Sequence, residues 1–230
     1  MVNMEMNTLQ TIQIIFQNRI SDKEVPYFRG AILNKYKNNI LFHNHNTDFF
    51  RNLYPLIQYK KINGYAAIVG INEGIEALEE LASTEKFSCN LGYKNYNMII
   101  GSINSDTISI SEEASLINYR IRKWLPLNQE NYLKYKNTTS LTDRIKILED
   151  ILIGNIISFA KGVHIHMEHP IICKLTNIDN QSIVPYKEVE LISLDATFQS
   201  NILLPENIGL GKGASINHGN ICRIYKKKIV

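Results

Sequence analysis

The first hundred residues change hydrophobic period in an order that few folds can accommodate. Within residues 8–18, Ile12, Ile14 and Phe16 recur at period two, which puts them on one face of an extended strand. Val25, Phe28, Ile32 and Tyr36 then recur at three and four, the spacing of a helix stripe. Pro26 fits as the first helical residue, because its missing N–H is one that a helix start leaves unbonded anyway. Ser21 and Glu24 have capping-box spacing, but a start there would put Pro26 inside the helix, so the later start is preferred. Residues 54–60 and 65–71 are apolar or alternating runs joined through Asn63-Gly64, the pair that best closes a two-residue hairpin. Asn72 stands where it would cap a second helix carrying Ile75, Leu78 and Leu81, and a fourth strand falls within residues 86–100.

Strand, helix, strand, strand, helix, strand is the order of a ferredoxin-like unit, which many RNA-binding proteins use. Residues 101–113 are small and polar, so a domain boundary is expected near 105, separating 1–105 from 106–230. Residues 116–125 alternate as a strand, and a short helix is expected at 128–136. Ser140 or Thr142 caps a longer helix, whose Leu141, Ile145, Leu148, Leu152, Ile156 and Phe159 keep one apolar face until Gly162. Strands at 163–178 and 186–200, a turn at 179–185 and a last strand at 220–226 complete an α+β chain.

Composition narrows the class. With 230 residues, 44% of them hydrophobic and 20% charged, the chain can bury a core without staples. Cys89, Cys173 and Cys222 are odd in number and in no Cys-x-x-Cys pair, so neither a disulfide framework nor a zinc knuckle is suggested, and a reducing cytoplasm fits best. No apolar run approaches the roughly 18–20 residues that span a bilayer, and no membrane association is expected. A net charge of +3 says little by itself. The cations nevertheless cluster, as Lys60 with Lys61, Arg120 and Arg122 with Lys123, and Lys226 to Lys228, a pattern as compatible with a phosphate-tracking surface as with ordinary solvated faces.

Two of the six histidines, His43 and His45, stand one residue apart in a polar stretch between the first helix and the hairpin. Paired imidazoles suit acid-base chemistry, since an unperturbed pKa of about 6.5 lets one ring be neutral while the other is protonated. Two alternatives stand beside this: ordinary solvated side chains, or two nitrogens on one metal ion, although zinc usually needs a third or fourth protein ligand. His164, His166 and His169 fall in an alternating run that reads as a half-buried strand. Near the C-terminus, Gly209, Gly211, Gly213 and Gly219 surround Lys212 and Ser215. Such a stretch can bring backbone N–H groups to an anion, or serve as a long turn, but it fits neither a Walker loop nor Gly-x-Gly-x-x-Gly.

Taken together, Phe28-Arg29-Gly30-Ala31-Ile32, Leu41-Phe42-His43-Asn44-His45, Tyr54-Pro55-Leu56-Ile57-Gln58-Tyr59-Lys60, residues 119–128, residues 153–162 and Ile208 to Ser215 resemble the CRISPR-associated repeat-processing endoribonucleases. These belong to the RAMP group, and the resemblance is to the b-type branch of the sixth Cas family. It implies two tandem ferredoxin-like (RRM-like) domains packed side by side, with precursor CRISPR RNA held on a basic face. It further implies cleavage within repeats by 2′-OH attack, leaving a 5′-hydroxyl and a 2′,3′-cyclic phosphate, with no metal and no cofactor. His43 and His45 match the family's paired active-site histidines, and Tyr54 a supporting hydroxyl. Lys35 or Lys60 would hold the phosphorane charge; Gly209, Gly211, Lys212, Gly213, Ser215, Arg120, Arg122 and Lys123 would contact RNA. Other CRISPR effector subunits and a second copy of the chain are the further partners left open. The family's last loop often ends Leu-Gly-aromatic-Gly, whereas here it ends Ile216-Asn217-His218-Gly219, and Asn217 can keep the turn because Asn tolerates positive φ. His218 is an addition without an assigned role. The alternative is a non-catalytic RNA-binding RAMP subunit of an effector complex.

Overall fold

Strand β1, Thr8–Arg19, lies at the centre of the first sheet and pairs antiparallel with a strand on each side. The computed structural model describes residues 7–37, 39, 42, 54–84 and 86–225. After β1 come a 3-10 turn, Asp22–Glu24, and helix α1, Val25–Lys35; strands β2, Ile57–Ile62, and β3, Tyr65–Ile71; helix α2, Glu73–Ala82; and strands β4, Lys86–Leu91, and β5, Lys94–Ser109. The sheet order is β2-β3-β1-β5-β4. Without β4 this is the ferredoxin order, and β4 adds an outer strand. The single strand expected over 86–100 is therefore a hairpin, whose turn at Gly92 has φ +68°.

The local reasons are those the sequence offered, with adjustments. Asn63 and Gly64 both take positive φ, 51° and 89°, which matches the twist of the strands they join. The 3-10 turn reconciles Ser21 with Pro26: Ser21 N–H donates to Glu24 Oε2 at 2.7 Å, and α1 then starts afresh at Val25 with Pro26 in its first turn. Asn72 does not cap its own helix. Its Oδ1 instead accepts from Gln10 N–H at 3.0 Å, tying the helix start to β1.

The core of this unit forms where α1 crosses the sheet. Phe16 meets Phe28 edge-on at 5.4 Å between centroids and Phe87 at 6.0 Å, while Phe28 meets Tyr59 at 6.1 Å. Such contacts are worth about 0.5–1.5 kcal/mol each beyond the area they bury.

Two compact units divide the chain, one comprising 1–109 with Gly162–His164 and Ser215–Asn217, the other the remaining residues. The polar stretch 101–113 is not a linker: β5 runs to Ser109 and strand β6, Glu112–Trp124, begins three residues later. Polarity there reflects a strand largely exposed to solvent, as the burial of residues 101–107 shows.

The second unit continues with helices α3, Gln129–Asn137, and α4, Leu141–Gly162; strands β7, Cys173–Tyr186, and β8, Val189–Ile202; and strand β9, Asn220–Arg223. Its sheet order, β7-β8-β6-β9, repeats the ferredoxin order, so the chain is α+β with two ferredoxin-like domains in tandem. Leu148, Leu152, Ile156 and Phe159 of α4 are buried, as are Tyr119, Ile121, Ala196 and Phe198 of the sheet. Between β8 and β9, where a ferredoxin-like unit has its second helix, residues 203–219 form the glycine-rich loop.

Two expectations fail here. Residues 163–172 are not strand, and His164 takes φ +59° just past the end of α4, where Ile165 N–H closes on Ala160 O at 2.8 Å. A helix-terminating turn had mimicked alternation. The turn expected at 179–185 lies inside β7; the hairpin instead turns at Lys187, with φ +55°.

Glu24 gives this fold a measurable pH dependence. Hydrogen bonds from the Ser21 hydroxyl and N–H and from the Tyr96 hydroxyl, at 2.7 Å each, hold its carboxyl down from 4.5 to about 2. A lowered folded-state pKa stabilises above the unfolded value and is lost as pH falls towards the folded one. The stability difference between the parent and Glu24→Gln, measured by urea denaturation, should accordingly shrink as pH falls from 4.5 to 2.

Candidate functional site

His43 and His45 lie outside the described residues, as do residues 44 and 46–53. What the structure gives is the two flanks of that segment. On the N-terminal side, Phe42 is fully buried and stacks on Tyr36, with centroids 4.9 Å apart and planes 12° from parallel. Tyr36 closes the buried stripe of α1, so the chain leaves the helix with an aromatic ring seated in the core.

On the C-terminal side, Tyr54 is buried, and its hydroxyl oxygen accepts from Gln58 Nε2 at 2.8 Å. Gln58 also donates to Pro55 O at 3.0 Å and is itself fully buried on β2. Burial pushes the Tyr54 phenol far above its ordinary range, so it is a neutral hydroxyl rather than a base. Gly162, which belongs to the same compact unit, packs directly on Tyr54: a Cβ placed there would stand 2.3 Å from Tyr54 Cβ and 3.2 Å from its backbone N. No larger residue fits without moving Tyr54.

The two lysines expected beside the phosphate part company. Lys35 is exposed at the C-terminal end of α1, with Nζ 5.6 Å from the ring centroids of both Tyr36 and Phe87. Lys60 is fully buried on β2, and burial drives its pKa well below that of an ordinary lysine. Only Lys35 offers its ammonium to something arriving from solvent.

In the second unit, the glycine-rich loop is built by close backbone approach. Gly211, Gly213 and Gly219 take φ of +79°, +74° and +62°. A Cβ at Gly219 would lie 2.0 Å from Leu210 O, and one at Gly211 would lie 2.5 Å from Asn155 Oδ1. That Asn155 oxygen also accepts from the Trp124 indole N–H at 2.9 Å, so the amide that joins β6 to α4 is the one Gly211 packs against. Lys212 is exposed, with Nζ 5.8 Å from the Tyr186 ring centroid, and Tyr186 meets His218 edge-on at 5.7 Å. His218 Nδ1 lies 3.1 Å from Lys123 O, which gives that histidine a packing role.

The remaining residues are distributed unevenly. Arg120 and Arg122 are exposed on β6, Arg120 being 3.9 Å from Asp179, and Lys123 takes φ +51° with its N–H on Asp195 Oδ1 at 2.7 Å. Gly209 is buried in a bridge to Asn220. Ser215 belongs to the first unit, where its carbonyl accepts from Tyr59 N–H at 2.8 Å.

Asn217 takes φ +68°, filling the place of a glycine as an Asn can. Its amide also does what composition could not show: Oδ1 accepts from Lys61 N–H at 3.1 Å and Nδ2 donates to Asp22 Oδ1 at 3.3 Å, beside the 2.7 Å Lys61–Asp22 ion pair. Sequence reasoning also missed Gln58, Gly162 and Asn155. All three stood within motifs that carried the resemblance, and Gly162 was also read as the end of the long helix, but neither signal pointed to the contacts they make. Among the described residues no group of three or more metal-ligating side chains converges.

Residues 7–109 match the Cas6b N-terminal domain and residues 111–224 the Cas6b C-terminal domain. The chain belongs to the Cas6b family. A crystal structure of Cas6b is 25% identical, covers 94% of this chain and 100% of its own, and superposes with a TM-score of 0.84. Another, of the CRISPR RNA processing endoribonuclease Cas6b, is 23% identical with a TM-score of 0.73, covering 94% of this chain and 100% of its own, and shares the fold. An uncharacterized protein of Methanocaldococcus jannaschii is 31% identical over 111 residues, 48% of this chain and 74% of that one.

Within this Cas6b protein the contact of Gly162 with Tyr54 tests the flank. Gly162→Ala should cost about 1–3 kcal/mol of stability in urea denaturation, the usual penalty for overpacking a filled site.

Proposed function

We propose that this chain, an endoribonuclease by family, cuts precursor CRISPR RNA within its repeats by attack of a ribose 2′-OH on the adjacent phosphorus. The products are a 5′-hydroxyl and a 2′,3′-cyclic phosphate. One imidazole of His43 and His45 takes the 2′-OH proton while the other protonates the departing 5′-oxygen. Each transfer contributes typically about 10²–10⁴ in rate. Tyr54, kept neutral by burial, supplies a hydroxyl, and Lys35 supplies a cation for the charge that develops on the phosphorane. No metal takes part in the step as written, because proton transfer and charge stabilisation are both assigned to side chains.

The observation that carries this reading is the match of both Cas6b domains, in order, over residues 7–109 and 111–224, on a chain whose His-x-His stands between two buried aromatic flanks. In the second unit, exposed Lys212 between the left-handed Gly211 and Gly213, with Arg120 and Arg122 on β6, supplies phosphate contacts for the same RNA.

His43→Ala and His45→Ala should each lower single-turnover cleavage of a repeat RNA by at least about 10²-fold in EDTA, with the parent fully active there. Cleavage by the double variant at the parental rate, or loss of parental activity in EDTA, refutes the mechanism. Lys212→Ala should weaken repeat binding and lower the slope of log affinity against log salt by about one unit. An unchanged slope removes Lys212 from the contacts.

A further inference from the structure

Helix α1 carries a glycine that its packing does not require. Gly30 sits in the middle of the helix, where glycine is unfavourable relative to alanine, yet a Cβ built there meets nothing within 4 Å. The space above it belongs to a groove of about 790 Å³ between α1 and the outer strand β4, a size within the range of roughly 300–1,000 Å³ typical of ligand sites. Gly30 and Ala31 form its floor on the helix side.

The walls have one chemical character. Tyr27, one turn before Gly30 and Ala31, is 55% exposed, and its ring lies 3.5 Å from where a Gly92 Cβ would be, so the ring rests against the β4–β5 turn and is otherwise open to solvent. Asn34 on α1 and Ser88 and Asn90 on β4 provide amides and a hydroxyl. Lys35 and Lys37 provide the charge, and no carboxylate is among the described lining residues. A partly exposed aromatic ring, hydrogen-bonding side chains that can act as donor or acceptor, and ammonium groups are what unpaired RNA needs: a stacking platform, readers for base edges and partners for phosphates.

We infer that the groove between α1 and β4 binds unpaired nucleotides of the substrate RNA, a base stacking on Tyr27 over the gap that Gly30 leaves. This rests on the RNA-cleaving reading above, because Lys35 lines the groove and stands over Tyr36, the ring on which Phe42 stacks just before His43. The strand entering the reaction centre continues along α1 towards its N-terminus.

The test fills the gap without disturbing the fold. Gly30→Ala and Gly30→Leu are compared with the parent for melting temperature and for anisotropy-measured Kd, using a labelled repeat RNA with a 2′-deoxy substitution at the cleaved nucleotide to block turnover. Gly30→Leu should melt at or above the parental temperature and bind RNA about tenfold more weakly, the scale of one lost base stack. Gly30→Ala should raise the melting temperature with a smaller loss of affinity. A folded Gly30→Leu with parental Kd overturns the inference. If Gly30→Leu does not fold, Tyr27→Ala, at an exposed position, decides by the same Kd. Failure of the parent to bind the repeat at all would instead sink the function proposed above, taking this subsite with it.

Discussion

Phe42 and Tyr54, both buried, flank residues 43–53 in the sequence, and the chemistry proposed for His43 and His45 leans on those two flanks. Tyr36 and Phe42 stack face to face at the end of the α1 core stripe, and Tyr54 is held by Gln58 and pressed against Gly162. The α1 stripe that seats Phe42 is the one that packs Phe28 against Phe16 and Tyr59, so the core and the flank of the candidate site share one set of contacts.

The second unit solves a different problem with the same topology. Its sheet repeats the ferredoxin order, but the segment between β8 and β9 is the loop at 203–219 instead of a helix. A helix there would satisfy its own N–H groups, whereas the loop's glycines let backbone run against backbone, at Gly219 and Leu210, and against the Asn155 amide at Gly211. His218 ties the loop to the Lys123 carbonyl, and Trp124 bonds the Asn155 amide that Gly211 packs against. The exposed cation Lys212 stands between Gly211 and Gly213, whose left-handed φ shapes the turn that carries it.

Some of this was legible in the residues and some was not, for identifiable reasons. The Asn63-Gly64 hairpin and the α1 stripe followed from local rules, since a two-residue turn and a helix stripe are decided within a few positions. The polar run at 101–113 misled because solvent-facing strands are polar, and only pairing with β1 shows that β5 continues through it. Alternation at 163–169 misled in the opposite direction, a helix end with His164 in the left-handed region imitating a strand. Lys60 read as a surface cation, but it is fully buried on β2, and no local pattern reveals which face of a short strand will be covered.

By itself the sequence determined the strand-helix-strand-strand-helix order of residues 8–82, the place of His43 and His45 between helix and hairpin, and positions where the backbone can turn left-handed, Asn63, Gly64, Gly211, Gly213 and Asn217 among them. Those are properties of a few consecutive residues. Tertiary structure alone decided which lysine is exposed to water and which is buried, which glycine is demanded by a neighbour and which is left open, and that Asn217 reaches back to Asp22 and Lys61. Each of these depends on atoms far apart in the chain meeting at a few ångströms, and burial and contact of that kind exist only once the chain has folded.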